Sequence, residues 1–91
     1  MPQAVVDPEE LRQFAQNLRA FNNQLRDRAA SLASQLNTLG GSWRDQEHKN
    51  FVEQFDINMK VLLRFAETAD QYVPFLLRKA EHIEEYLRSP R

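Results

Sequence analysis

The chain has 91 residues, a net charge of −1 and no cysteine. This length allows one domain with a small core, and the even mixture of charges leaves no basic stripe for nucleic acid or a membrane surface. The chain can form no disulfides, and no stretch is apolar enough to span a membrane. The N-terminus lacks the features of a Sec signal peptide, so we expect a product made in the cytoplasm and secreted, if at all, without one.

The first predicted element is a long amphipathic helix. Asp7 suits the N-cap, Pro8 the first helical position, and Glu10 can complete a capping box. Apolar residues then recur every three or four positions with no Gly or Pro, which places them on one face. This stripe consists of Leu11, Phe14, Leu18, Phe21, Leu25, Ala29, Leu32, Leu36 and Leu39.

A turn of sequence GGSWRD follows, with both glycines and the only tryptophan of the chain. We expect Gly40 to end the first helix in the left-handed conformation and Gly41 to continue the turn. Either Ser42 or Asp45 can cap the next helix, and we favour Asp45, which leaves Trp43 in or beside the turn. The indole there can cover the end of the core and donate its N–H to a loop carbonyl.

The second predicted helix keeps the same period as far as residue 88. Its stripe consists of Phe51, Phe55, Met59, Leu62, Ala66, Ala69, Val73, Leu76, Ala80, Ile83 and Leu87. Pro74 predicts a kink or short break near residues 70–73, but the apolar phase continues across it. The chain 1–91 is therefore predicted to be a single all-α domain, an antiparallel two-helix hairpin. Its parts are helix one at about 8–39, a turn at 40–45 and helix two at about 46–88.

Charged residues beside the two stripes predict how the helices align. If the hairpin is centred on the glycine pair, Arg26 lies near Asp56 and Arg12 near Asp70. Each such surface ion pair contributes only about 0.2–1 kcal/mol, so we expect the pairs to select the register more than to stabilise the fold.

The sequence contains more apolar surface than one hairpin can bury. Two packed helices hide only their facing stripes, and a second row on helix two widens the apolar surface. The predicted interface consists of Phe14, Phe21, Val61, Phe65, Tyr72 and Phe75. These side chains either wrap the edge of the hairpin or, as we favour, pack in a four-helix bundle made from two hairpins. The partner would be a second copy or a related hairpin.

The central Trp43 between two long helices, in a chain of this size, resembles the WXG family of helical hairpins associated with type VII (ESX-type) secretion. Asp45 stands where the motif has its glycine. Members with an export signal carry Tyr-x-x-x-Asp/Glu after helix two, and neither Tyr72 nor Tyr86 fits that pattern. The resemblance implies dimerisation, a contact between the tryptophan region and the secretion machinery, and a type VII secretion ATPase among the partners.

We find no catalytic motif, and we expect no catalytic, cofactor or metal site. His48 and His82 each stand three residues from an acid, as in Glu-x-x-His bundle sites, but the predicted core lacks the further inward carboxylates that such sites need. We therefore expect a non-enzymatic substrate or partner of a type VII secretion system. The alternative is an intracellular adaptor or chaperone-like bundle that holds a partner helix and is not exported.

Overall fold

The computed structural model describes residues 6–88, which form two antiparallel α-helices, α1 (Pro8–Leu39) and α2 (Gln46–Arg88). Together they form a rod with dimensions of 71 × 23 × 16 Å. The all-α hairpin predicted from the sequence is confirmed. Neither α1 nor α2 contains an apolar run that could cross a membrane.

Helix α1 begins at an acidic cap. The carboxylate of Asp7 accepts a hydrogen bond of 2.9 Å from the N–H of Glu9, and Pro8 follows the cap directly. Within the described residues, the reciprocal bond from Glu10 that a capping box requires is absent, so Asp7 is a simple N-cap. Two acids in the first turn also complement the positive end of the helix dipole.

Helix α2 continues through Pro74 without interruption. Proline has no N–H to donate, so this turn of α2 lacks one backbone hydrogen bond. Pro74 is exposed, which keeps its ring out of the seam between the helices. The short break that we considered near residues 70–73 is therefore not present, and a kink there stays a prediction.

The core is a narrow seam made mostly of alanines. The buried residues are Ala15, Asn22, Ala29, Ala66, Ala69, Val73 and Ala80. Small side chains let the two backbones approach closely, and a two-helix pair covers little more than this seam. Larger residues that we assigned to the core stripes are about half exposed instead: Phe14, Phe21, Leu32, Leu39, Phe51 and Leu87.

Candidate functional site: the turn and the apolar face

The turn begins with Gly40 in a right-handed conformation. Its φ of −60° and ψ of −16° continue the helical geometry, and its N–H donates to the carbonyls of Leu36 and Asn37, both at 3.2 Å. Neither Gly40 nor Gly41 has a positive φ. The predicted left-handed helix stop is therefore wrong, since the chain leaves α1 through overlapping helical turns, which end with the N–H of Trp43 donating to the carbonyl of Leu39 at 2.8 Å.

Close packing explains why glycine suits position 40. A Cβ atom added there would lie 3.2 Å from the carbonyl oxygen of Asn37 and 3.5 Å from Cε1 of His48. The imidazole of His48 thus lies against the backbone of the turn, and its Nε2 is buried with no hydrogen-bond partner among the described residues. Sequence reasoning did not find this contact of His48, because nothing in the local pattern shows which side chain packs on a glycine.

Asp45 joins the turn to α2. Its carboxylate accepts a hydrogen bond of 3.0 Å from the N–H of His48, which is the third residue of α2. This is the usual geometry of an N-cap, and it satisfies one of the amides that a helix start leaves free. The acid that replaces the motif glycine thus begins the second helix.

Trp43 is half-buried and packs on the first turns of α2. Its ring centroid lies 4.9 Å from that of His48, in an edge-to-face arrangement, and 6.1 Å from that of Phe51. Phe51 in turn lies 6.0 Å from Phe55. The indole therefore extends an aromatic column along α2, and among residues 6–88 its N–H makes no hydrogen bond.

Both helices contribute to one exposed apolar face. We define the apolar face as Phe14, Phe21, Val61, Phe65, Tyr72 and Phe75, whose exposed fractions range from 53% to 63%. Phe14 and Leu18 of α1 line one groove together with Phe65 and Tyr72 of α2. Of the predicted interface residues, Phe14, Phe65 and Tyr72 thus share one groove, and Tyr72 also lines a second groove with Phe75. That these residues form an interface stays a prediction.

The side of the hairpin that carries Arg12 and Arg26 is occupied by ion pairs, and we call it the ion-pair edge. Arg12 contacts Glu84 at 2.8 Å, and Arg26 contacts Asp70. Hydrogen bonding to Glu84 raises the pKa of Arg12 above its ordinary value. Hydrogen bonds from Asn22 and Arg26 lower the pKa of Asp70 below its ordinary value of 3.8.

These contacts correct the predicted register. Arg26 pairs with Asp70 rather than Asp56, and Arg12 with Glu84 rather than Asp70, so both partners lie fourteen residues farther along α2. One cause is that Gly40 packs beside His48, which moves the centre of the hairpin beyond the glycine pair. The second is that helical side chains lean toward the N-terminus of their own helix, so an α1 arginine reaches α2 farther from the turn.

Sequence reasoning missed Asn22, which is fully buried in the seam. Its Nδ2 donates to Asp70 at 2.8 Å, and its Oδ1 has no partner among the described residues. A signal was present, since Asn22 lies seven residues after Ala15 and seven before Ala29, at the same helical position. We passed over it because the large apolar residues beside it dominate the pattern.

The described residues offer little for chemistry on a substrate. Among residues 6–88, no group of three or more His, Asp or Glu side chains is arranged to hold a metal ion. His48 lies at the turn, whereas His82 is exposed near the other end of the hairpin. The arrangement supports contacts between proteins, through a structured turn and an uncovered apolar face.

These features define a small helical-hairpin protein with a structured turn and an exposed apolar face. Residues 3–86 match the family model WXG100, described as "Proteins of 100 residues with WXG". The chain therefore belongs to the WXG100 family, whose members are small helical proteins associated with type VII secretion.

One solved structure shows the same fold. It is the crystal structure of a mutant of the secreted protein EsxB from Bacillus anthracis str. Sterne, and it matches with a TM-score of 0.73 over 99% of each chain. The sequence identity is 20%, so the likeness concerns the fold alone. No curated protein matches the chain.

Proposed function

We propose that this chain is a non-enzymatic substrate or partner of a type VII secretion system, and that it acts by packing its apolar face against a second helical hairpin. The observation that carries this proposal is the apolar face, which exposes five aromatic rings and Val61, with Phe14, Phe65 and Tyr72 in one groove. Surfaces of this kind are typical of interfaces, because they lose solvent-exposed apolar area on association. The second hairpin completes a four-helix bundle.

Family membership supports the secretion part of the proposal. A contact between the Trp43 end of the hairpin and the secretion ATPase belongs to the same proposal. The half-buried indole and the exposed ring of Phe51 form an aromatic surface at that end of the rod.

A second candidate is an intracellular adaptor that holds a partner helix on Phe65, Tyr72 and Phe75 and is not exported. The observation that favours it is that neither tyrosine begins a Tyr-x-x-x-Asp/Glu pattern, since Leu76 stands four residues after Tyr72 and Pro90 four after Tyr86. An exported partner hairpin that carries the signal would reconcile these two departures from the pattern with secretion.

Light scattering during gel filtration tests the association. We expect the chain to form a two-chain assembly at high protein concentration, and Phe65→Asp to abolish it by placing a charge in the apolar face. Leu63→Asp is the matched control, because Leu63 is also partly exposed but lines a groove with Arg26 on the ion-pair edge. Equal behaviour of both variants and the parent chain would argue against the apolar face as the interface.

Export is tested separately, in a bacterium with an active type VII system and in its derivative without the secretion ATPase. An epitope-tagged chain should reach the culture medium only in the first strain, with a cytoplasmic marker retained in the cells. A chain that stays in the cells of both strains, even with its partner co-expressed, would favour the adaptor.

A further inference from the structure

The seam between the two helices repeats every seven residues. The buried residues that follow this spacing are Ala15, Asn22 and Ala29 on α1, and Ala66, Val73 and Ala80 on α2. A seam with such a repeat packs almost equally well when one helix moves along the other by seven residues, because each small residue then takes the place of the next. Apolar packing alone therefore does not determine the register.

The lengths of the helices and the path of the turn leave room for such a slip. Helix α2 has 43 residues against 32 in α1, so α2 projects beyond α1 at the open end of the hairpin. A slip by seven residues moves the centre of the turn by three or four residues, and residues 40–43 already follow helical turns that can lengthen α1. A slip by fourteen would unwind about two helical turns, so the slip by seven is the competing arrangement.

The ion pairs discriminate only weakly between these registers. Arg12, Arg19 and Arg26 are spaced by seven residues. The acids Glu84 and Asp70 are spaced by fourteen, so the observed register pairs the first and the last of the three arginines. After a slip by seven, Arg19 meets Glu84 or Asp70, and the other two arginines lose their acids. The difference is one surface ion pair, which changes an equilibrium by at most about fivefold.

Asn22 is the member of the seam that breaks the repeat. It is the one polar residue among the buried residues of the described chain, and its Nδ2 donates to Asp70 at 2.8 Å. After a slip by seven, the residue in the place of Asp70 is Leu63 or Leu77, neither of which can accept this hydrogen bond. Leaving a buried amide without its hydrogen bond costs more than one surface ion pair contributes.

We propose that Asn22 holds the two helices in one register by rejecting arrangements shifted by seven residues, and that it does so at a cost in stability. Its Oδ1 is buried without a partner among the described residues, an unfavourable state that an alanine would avoid. The register also determines the surface, because the groove that Phe14 shares with Phe65 and Tyr72 forms only where these residues are level. Asn22 thus positions this groove without lining it, whatever the groove binds.

The distance between two spin labels measures the register directly. The chain has no cysteine, so Asp27→Cys and Lys79→Cys, at exposed positions of α1 and α2, provide a single labelled pair. Position 27 lies nearer to the turn and position 79 nearer to the open end, so a slip by seven residues changes their distance by about 10 Å. An excess of unlabelled chain suppresses distances between molecules.

In this labelled chain, Asn22→Ala should add a second distance, about 10 Å from the first, in about a tenth of the molecules or more. Its free energy of unfolding in urea should not fall, because alanine completes the seam. Asn17→Ala is the matched control, with the same change at an exposed position of α1, and it should keep one distance. A single parental distance in Asn22→Ala, with or without a loss of stability, would overturn the inference.

Moving the carboxylate by seven residues tests Asn22 with the ion pairs balanced. In the exchange variant, Asp70→Leu with Leu77→Asp, the observed and the slipped register contain two ion pairs each, because Arg19 meets an acid in both. Only the slipped register offers Asn22 an acceptor, so the label distance should shorten by about 10 Å. Adding Asn22→Ala to the exchange should restore a mixture of both distances. An exchange variant that keeps the parental distance would overturn the inference.

Discussion

Replacing Gly40 by alanine distinguishes two explanations of the turn. If Gly40 were needed for a left-handed helix stop, a Cβ there would cost about 1–2 kcal/mol. In the structure its φ of −60° and ψ of −16° suit any residue, and alanine also lowers the entropy of the unfolded chain, which stabilises by about 0.4–1 kcal/mol. The opposing term is the contact of 3.2 Å between the new methyl group and the carbonyl of Asn37, which requires a small shift. We expect the two terms to offset each other and the free energy of unfolding to change by less than about 0.5 kcal/mol.

Urea unfolding followed by far-UV circular dichroism at a fixed protein concentration measures this change. Ala30→Gly, at an exposed position inside α1, is the control for sensitivity and should lose about 0.5–1 kcal/mol. The fluorescence of Trp43 shows whether His48 keeps its place, because the two rings are in contact. A loss above about 1 kcal/mol in Gly40→Ala with unchanged Trp43 emission would refute the argument, since it would mean that the turn needs a conformation that only glycine adopts.

Two further predictions concern single hydrogen-bonded acids. Because the pKa of Asp70 is lowered in the folded state, the ionised carboxylate stabilises the fold above its ordinary pKa, and this stabilisation is lost as pH falls through the folded value. In urea titrations, the parent chain should therefore lose more stability than Asp70→Asn between neutral pH and about pH 3. Parallel losses in the two proteins would contradict this. Asp45→Ala should cost about 0.5–2 kcal/mol in the same assay, because it removes the cap of α2, whereas Asp27→Ala at an exposed position inside α1 should change little. Equal free energies of unfolding for Asp45→Ala and Asp27→Ala would contradict this prediction.

The helices were predictable because their signals are local. Asp7 followed by Pro8 marks the start of α1, and an apolar period without Gly or Pro predicts its continuation. Each of these signals acts within a few residues, so no knowledge of the partner helix is needed. The same holds for Asp45, whose carboxylate serves an amide three residues away.

The register was not predictable in this way, because it depends on the path of the turn and the reach of long side chains. Centring the hairpin on the glycine pair predicted Asp56 as the partner of Arg26, whereas the observed partner is Asp70. The observed pair is still an arginine with an aspartate across the helices, as predicted. Asn22 shows the same limit, since its burial depends on how closely the two backbones approach along the alanine seam. The spacing of apolar residues in one helix therefore predicts neither the register nor the burial of Asn22.

The contrast between the two sides of the hairpin supports the proposal that the chain packs against a second hairpin. On the ion-pair edge, Arg12 and Arg26 find their acids within the chain, so that side needs no partner. The other side leaves Phe65 and Tyr72 more than half exposed. The described core has seven buried residues, five of them alanines, which is a small core for two helices of 32 and 43 residues. A second hairpin over the apolar face would bury the rings that the seam cannot, and it would add the apolar burial that so small a core does not provide.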